Sequence, residues 1–249
     1  MKKERLSIGL LLIVTGKYDI FLERLLESLD THFFPKDDVV IYLFWDKPYY
    51  RLRLPARFSV VCVPTKHIPF PFPTLYRYKY FSQASEKINT NYLFYMDVDM
   101  LLVGDVDREI LPDVLNEELL VSTLHPGFYK GGGAWCDYKG STAYTPENLR
   151  ERYYAGGFQG GETNAYINAC YEMAKNITTD EQCGIITEWH DEQHWNKYLC
   201  TRKPKMLTPE YCMVMNPETR AQYGLLSLNP RIIALEKNHE ELRSDGGVK

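Results

Sequence analysis

The stretch Tyr92-Leu93-Phe94-Tyr95-Met96-Asp97-Val98-Asp99-Met100-Leu101-Leu102 decides the fold. Five apolar or aromatic residues lead into the first acid, and three follow the second. Such a run predicts a strand buried on both faces of a mostly parallel sheet. Two carboxylates at its carboxyl end are costly unless a cation or hydrogen bonds hold them. Open α/β sheets bind their ligands outside the carboxyl ends of the strands. An Asp-x-Asp there presents hard oxygen ligands suited to Mn²⁺ or Mg²⁺ and leaves positions open for a diphosphate. The alternative is a strand that merely runs into an acidic turn.

Upstream, Ile8 to Val14 is an apolar run ended by Gly16. Tyr18 to Phe33 carries Tyr18, Leu22, Leu25, Leu26, Leu29 and Phe33 at helical spacing. Val39 to Trp45 and Phe58 to Val63 read as strands, Pro64 to Pro73 as a loop, and Tyr76 to Ile88 as a helix. This order predicts an α/β, Rossmann-like nucleotide-binding half. Neither a Gly-x-Gly-x-x-Gly nor a Walker loop occurs, so NAD and P-loop chemistry are not indicated. Downstream, Leu119 to Leu124 predicts a strand running into His125-Pro126-Gly127-Phe128-Tyr129. The glycines of Arg152 to Gly161 are expected to let a ligand approach the backbone closely. Glu162 to Lys175 and Asp191 to Cys200 read as helices, and the polar tail from Glu236 to Lys249 as mobile.

At 249 residues the chain can hold one large domain with a sizeable core. A net charge of −4 without long Lys/Arg runs argues against a nucleic-acid partner. Six cysteines without a Cys-x-x-Cys pair read as small buried hydrophobes in a reducing compartment, hence a cytoplasmic location. The apolar stretch Leu6 to Val14 is too short to span a membrane, and Thr15-Gly16-Lys17-Tyr18 offers no cleavage pattern. It reads as the first core strand.

Several stretches resemble glycosyltransferase family 6, the histo-blood-group A/B and α-1,3-galactosyltransferase family. The carrying residues are Asp97-Val98-Asp99, His125 to Tyr129, Tyr153 to Gly161, and Trp189-His190-Asp191-Glu192-Gln193-His194-Trp195-Asn196-Lys197-Tyr198. Leu207-Thr208-Pro209-Glu210-Tyr211 and Lys237-Asn238-His239 continue the series in the family's order. The resemblance implies a type-A transferase fold (GT-A), a Rossmann-like sheet fused to a smaller acceptor-binding lobe. One catalytic domain, 1–249, then divides into a nucleotide-binding half (7–103), an acceptor and catalytic half (104–235) and a mobile tail (236–249). The family also implies a UDP-sugar donor, Mn²⁺ with Mg²⁺ as the alternative, and α-1,3 transfer with retention to the 3-hydroxyl of a galactoside. A fucosylated blood-group H-like glycan is among the acceptors implied. Animal members are Golgi-anchored through an N-terminal transmembrane stem. This chain shows none, so a soluble bacterial- or phage-type member is expected. Many bacterial members carry Asn-x-Asn and work without metal; Asp97 and Asp99 depart from that pattern and restore the metal expectation.

The same resemblance assigns roles. Asp99 binds the metal most directly, Asp97 also meets the donor's ribose or sugar, and Val98 lies between them on the donor. Arg77 contacts the donor sugar and the Asp-x-Asp, while Val14, Thr15 and Tyr18 hold uracil and ribose. Ala155, Gly156 and Gly157 line the space beside the donor's C2 substituent. Glycine at the third of these positions goes with an N-acetyl group, predicting UDP-GalNAc over UDP-Gal. Asp191 resembles the ligand of a sugar hydroxyl, and Lys237 and Arg243 close over the diphosphate. Glu192 faces the anomeric carbon as nucleophile or ion-pair stabiliser. Trp189, His125 and Thr142 resemble the acceptor platform. Without the resemblance, Arg77 is a solvated helix residue and Tyr18 and Trp189 are core aromatics. Glu192 is then a first-turn acid favoured by the helix dipole. His190 and His194, four apart, would suit a metal on one helix face, but no third ligand is evident and His194 reads as structural. Two function classes follow: a metal-dependent retaining hexosyltransferase, or a catalytically inactive carbohydrate-binding protein of transferase descent. A nucleotidyltransferase would share the acids but has no use for the Trp189 block.

Overall fold

The computed structural model describes residues 5–48 and 53–243. In chain order it runs β1 (Ser7–Val14), α1 (Leu22–His32), β2 (Asp38–Trp45), β3 (Phe58–Pro64), α2 (Phe72–Leu75), α3 (Arg77–Gln83), β4 (Tyr92–Met96) and β5 (Met100–Leu102). There follow β6 (Leu120–Leu124), β7 (Tyr154–Glu162), α4 (Thr163–Gln182), α5 (His190–Leu199), β8 (Lys205–Leu207), β9 (Met213–Val214), α6 (Pro217–Tyr223), β10 (Ile232–Ala234) and α7 (His239–Leu242). Seven strands form a mostly parallel sheet in the order β3-β2-β1-β4-β7-β6-β8, and β5-β10-β9 form a small second sheet. This is the mixed α/β architecture of a GT-A transferase.

Strand periodicity sorts the side chains into two cores. On β1, Ile8, Leu10, Leu12 and Val14 join the core under α1, with Leu22, Leu25, Leu26 and Leu29 of that helix. Leu11 joins the opposite core, covered by Tyr78 and Phe81 of α3, Tyr166 and Met173 of α4, and Trp195 of α5. On β4 the same alternation sends Phe94 and Met96 to the first core and Leu93 and Tyr95 to the second. Both faces of the inner strands are covered, which is why their sequences read as continuous apolar runs.

Three expectations are corrected. The run from Tyr92 to Leu102 is not one strand: β4 stops at Met96, Asp97 to Asp99 form a turn, and β5 pairs antiparallel with β10 in the other sheet. Both halves are buried, so hydropathy does not mark the change of sheet. The Gly-rich stretch is an inner strand, β7, antiparallel to both β4 and β6. Its glycines serve two purposes. A Cβ on Gly160 would collide with the Leu93 carbonyl and Phe94 of β4, whereas Gly156 and Gly157 stand at the pocket. Finally, the predicted first and second helices are segmented. A 3-10 turn, Gly16–Phe21, precedes α1, and the other starts after Tyr76 and breaks at Ala84 into a 3-10 turn, Ser85–Lys87. No two cysteines are bonded. Among the described residues, no helix is long and apolar enough to cross a membrane.

Candidate active site

The carboxyl ends of β1 and β4 open into a cavity of about 540 Å³, within the range of small-ligand sites. Thr15 and Tyr18 line it after β1, Asp97 to Asp99 after β4, and Gly156 and Gly157 on β7. Trp189, Asp191 and Glu192 face it from α5 and its approach, and Lys237 and Arg243 from the tail. The antiparallel pairing of β4 with β7 sets this meeting. Met96 lies opposite Phe158, and the Asp97 N–H donates to the Gly157 carbonyl at 2.9 Å.

Helix α5 is pinned to β7 by one buried amide. Asn196 Oδ1 accepts from the Tyr154 N–H at 2.8 Å, and its Nδ2 donates to the Tyr154 carbonyl at 2.8 Å and the Glu192 carbonyl at 2.9 Å. The first turn of α5 thus falls beside the glycine pair. There the Gly156 N–H donates to Glu192 Oε2 at 2.7 Å. Gln193 reaches the other way, donating to the Ala134 carbonyl at 2.8 Å and tying down the loop before β7.

Arg77, 3 % exposed, is no solvated helix residue. Its Nε lies 3.0 Å from Asp191 Oδ2, its Nη2 3.4 Å from Asp97 Oδ1, and its Nη1 donates to the Gly156 carbonyl at 2.7 Å. One guanidinium thereby links three segments of the pocket. Burial alone would lower its proton affinity, but Asp191, Tyr95 and Asp97 hold it well above its ordinary value. Burial likewise pushes the Asp191 carboxyl up to about 7, with Arg77 pulling against it. Glu192 is also pushed up to about 7 by burial, against the Gly156 N–H, Tyr153 and Arg77, which favour its charged form.

Lys237 pairs with Asp99 Oδ2 in the cavity wall, and burial lowers its proton affinity while Asp97 opposes this. The Arg243 guanidinium lies 3.5 Å from the centroid of the Phe70 ring, and Lys17 donates to the Glu241 carbonyl at 3.0 Å. Residues 236–243 therefore pack across the pocket mouth, while 244–249 lie outside the described residues. Two carboxylates, one already holding an ammonium, fit a hard divalent cation. No group of three or more His, Cys, Asp or Glu converges among the described residues. Asp97 and Asp99 are thus the two side chains that would hold such a cation.

Not every expected residue meets this cavity. Val14 and Ala155 are buried in the core under α1, their side chains alternating away from the pocket. Thr142 lies against α4, its N–H donating to Asp180 Oδ1 at 2.8 Å and its hydroxyl to the Asn176 carbonyl at 3.2 Å. His125 stands outside the cavity wall, packed on Phe128 and Tyr153. Its Nδ1 accepts from the Gly127 N–H at 3.1 Å, and burial pulls the imidazole down to about 4, leaving it neutral. Trp189 is 52 % exposed, an aromatic face open at the rim rather than a core residue. His190 and His194 do not converge. His194 turns to Asp180 at 3.7 Å, while His190 donates to the Thr187 carbonyl at 2.9 Å.

Sequence reasoning treated Pro64 to Pro73 only as a connection. It supplies a wall of the cavity through His67, Pro69 and Phe70. The signal was there: long loops in compact domains are uncommon and usually functional. Tyr95 and Gln159 were also missed. Tyr95 touches Asp97, and Gln159 Nε2 donates to the Gly156 carbonyl at 3.0 Å.

The chain is similar to several known proteins. The rat histo-blood group ABO system transferase 1 (Rattus norvegicus) is 33 % identical over 255 residues, covering 98 % of this chain and 70 % of that protein. Globoside alpha-1,3-N-acetylgalactosaminyltransferase 1 from Gallus gallus is 29 % identical over 255 residues, covering 96 % and 70 %. The O-antigen biosynthesis glycosyltransferase WbnI from Escherichia coli is 28 % identical over 211 residues, covering 82 % and 86 %. The sequence profile of glycosyltransferase family 6 matches residues 1–244, with the acid pair, the α5 block and the tail cations inside the match, and the chain belongs to that family.

Proposed function

We propose that the chain is a metal-dependent, retaining α-1,3-glycosyltransferase that moves GalNAc from UDP-GalNAc to the 3-hydroxyl of a galactoside. The observation carrying this reading is the single cavity that holds Asp97 and Asp99, Lys237, and the Glu192 carboxylate held by Gly156. In it, Thr15 and Tyr18 hold the nucleoside and the diphosphate lies over Asp97 and Asp99. Mn²⁺ there would neutralise charge on the departing UDP. Lys237 and Arg243 add positive charge where the leaving group develops its negative charge. Asp191, oriented by Arg77, takes a hydroxyl of the transferred sugar. Glu192 stands as nucleophile or as ion-pair stabiliser for the oxocarbenium-like centre. Trp189 offers the galactose ring an aromatic face. Hydrolysis and transfer assays with UDP-GalNAc, UDP-Gal and a galactoside, with and without Mn²⁺, test the reading. A catalytically inactive carbohydrate-binding protein would turn over neither donor under any of these conditions.

Donor choice rests on Gly157. A Cβ there would press on the flexible Met100 methyl, 3.0 Å from Asp97 Oδ2 and 3.4 Å from Cys212 Sγ. An added methyl therefore meets two core side chains, Met100 and Cys212, together with the Asp97 carboxylate that faces the pocket. Overpacking a closed site costs about 1–3 kcal/mol, enough to reverse a preference. Wild-type protein prefers UDP-GalNAc in kcat/KM, and Gly157→Ala shifts the ratio about tenfold toward UDP-Gal. A wild-type preference for UDP-Gal would refute the pocket argument. An unchanged ratio in a well-folded variant would remove Gly157 as the selector.

The same reading gives the tail a donor-dependent role. Residues 237–243 already pack over the empty pocket through Lys237 and Arg243. A donor diphosphate gives both cations a further partner, so the tail is expected to be held more firmly with donor than without it. Trypsin should cut after these residues more slowly with UDP and Mn²⁺ than without. Equal cleavage in both states would count against it.

A further inference from the structure

Tyr95, on β4, stands two residues before Asp97, in the turn that follows, and both side chains meet Arg77 of α3. Its ring is 4 % exposed, packs on Phe81 with centroids 5.3 Å apart, and lies under the Arg77 guanidinium at 4.3 Å. Its hydroxyl donates to Asp97 Oδ1, the oxygen that Arg77 Nη2 approaches at 3.4 Å. Among the described residues no hydrogen bond reaches Asp97 Oδ2, which faces the Gly157 side of the pocket. The two oxygens of one carboxylate are thus distinguished: one is taken by the protein, the other left to a ligand.

We propose that Tyr95 is a positioning residue for the diphosphate and metal site, its hydroxyl reserving Asp97 Oδ1 so that Oδ2 alone meets the cation. The inference rests on the metal-dependent reading above. Hydrogen bonds to charged groups are the stronger ones, and a buried phenol clamped between Arg77 and Phe81 has little freedom to swing away. Without the hydroxyl, Arg77 holds Oδ1 only at the longer distance, and the carboxylate can turn. Mn²⁺ then meets an acid that must be ordered on binding.

The test is Tyr95→Phe, which keeps the ring and removes only the hydroxyl, with melting temperature checked. Tyr78→Phe is the control. The Tyr78 hydroxyl is buried on the same helix-covered face but donates to Gln159 Oε1 at 3.1 Å and does not reach Asp97. The readout is free Mn²⁺ measured by electron paramagnetic resonance during titration of each protein with UDP present. Tyr95→Phe should weaken Mn²⁺ binding about tenfold, the scale of one charge-assisted hydrogen bond, with Tyr78→Phe matching wild type. In transfer assays the loss should appear as a higher Mn²⁺ requirement, with kcat at saturating Mn²⁺ little changed. If wild type binds Mn²⁺ with UDP and Tyr95→Phe binds it equally well, the positioning role is overturned while the metal-dependent reading stands. Equal weakening in both variants also overturns it, as a general effect of loosening the α3 side. No Mn²⁺ binding by wild type overturns the metal-dependent reading itself, and the Tyr95 role with it.

Discussion

Glu192→Gln should lower kcat about 10³-fold while leaving the donor KM within a few-fold. A carboxylate beside the anomeric carbon earns its effect when positive charge develops there, so its loss falls on the transition state rather than on binding. The amide oxygen can still accept from the Gly156 N–H, now 2.7 Å from Glu192 Oε2, so the fold around the site should persist. A kcat within tenfold of wild type, in a variant with unchanged secondary structure, would remove Glu192 from the chemistry.

The same residue has a pH signature. Burial raises its carboxyl from an ordinary 4.5 to about 7, so in the empty pocket the reactive charged form is lost as pH falls through about 7. The kcat/KM profile of the free enzyme should therefore drop on its acid side near that value. Stability runs the opposite way. With the folded pKa above the unfolded one, the native state holds the proton more tightly, and folding stability falls as pH rises from about 4.5 to about 7. Glutamine does not titrate. The melting-temperature gain of Glu192→Gln should grow across that interval and level off above it, so one side chain would cost stability where it supports activity.

Asp99→Asn, alone or with Asp97→Asn, should abolish transfer, as should EDTA, with added Mn²⁺ restoring the chelated wild type. Asp99 is 5 % exposed and its Oδ2 is paired with Lys237. Among the described residues, no group of three or more potential ligands could replace it. Losing the cation forfeits charge neutralisation on the leaving diphosphate, about 4 kcal/mol or more, near 10³-fold in rate. The substitution also leaves the Lys237 ammonium facing a neutral amide, so the tail should become easier to cleave even without donor. Undiminished transfer in EDTA would sink metal dependence and leave the family assignment untouched.

Much of this site was legible from local pattern. The alternation along β1 and β4 and the apolar run of β2 are consequences of burial on two faces, and burial selects residue types position by position. The acid pair stood out because carboxylates at the end of a buried strand need a partner. The family block at the start of α5 carried Asp191 and Glu192 to the right helix turn. The errors share a cause. The run from Tyr92 to Leu102 crosses from one sheet to another without any change in hydropathy, because both segments are buried. The glycines of β7 were read only as room for a ligand, because close approach to a ligand and close approach to a neighbouring strand select the same residue.

By itself, then, the sequence determined the strands β1, β2 and β3, the acids at the end of β4 and the family to which the chain belongs. Only the tertiary structure decided that Arg77 is buried between Asp97 and Asp191 and reaches the Gly156 carbonyl, 79 residues away. It also decided that the Pro-rich loop is a wall, that Thr142 serves α4 instead of the pocket, and that Tyr95 claims one oxygen of Asp97. Residue type and spacing report the burial of each position along its own element. Which groups from distant elements meet depends on sheet order, here on β7 entering antiparallel beside β4, and no local period encodes that order.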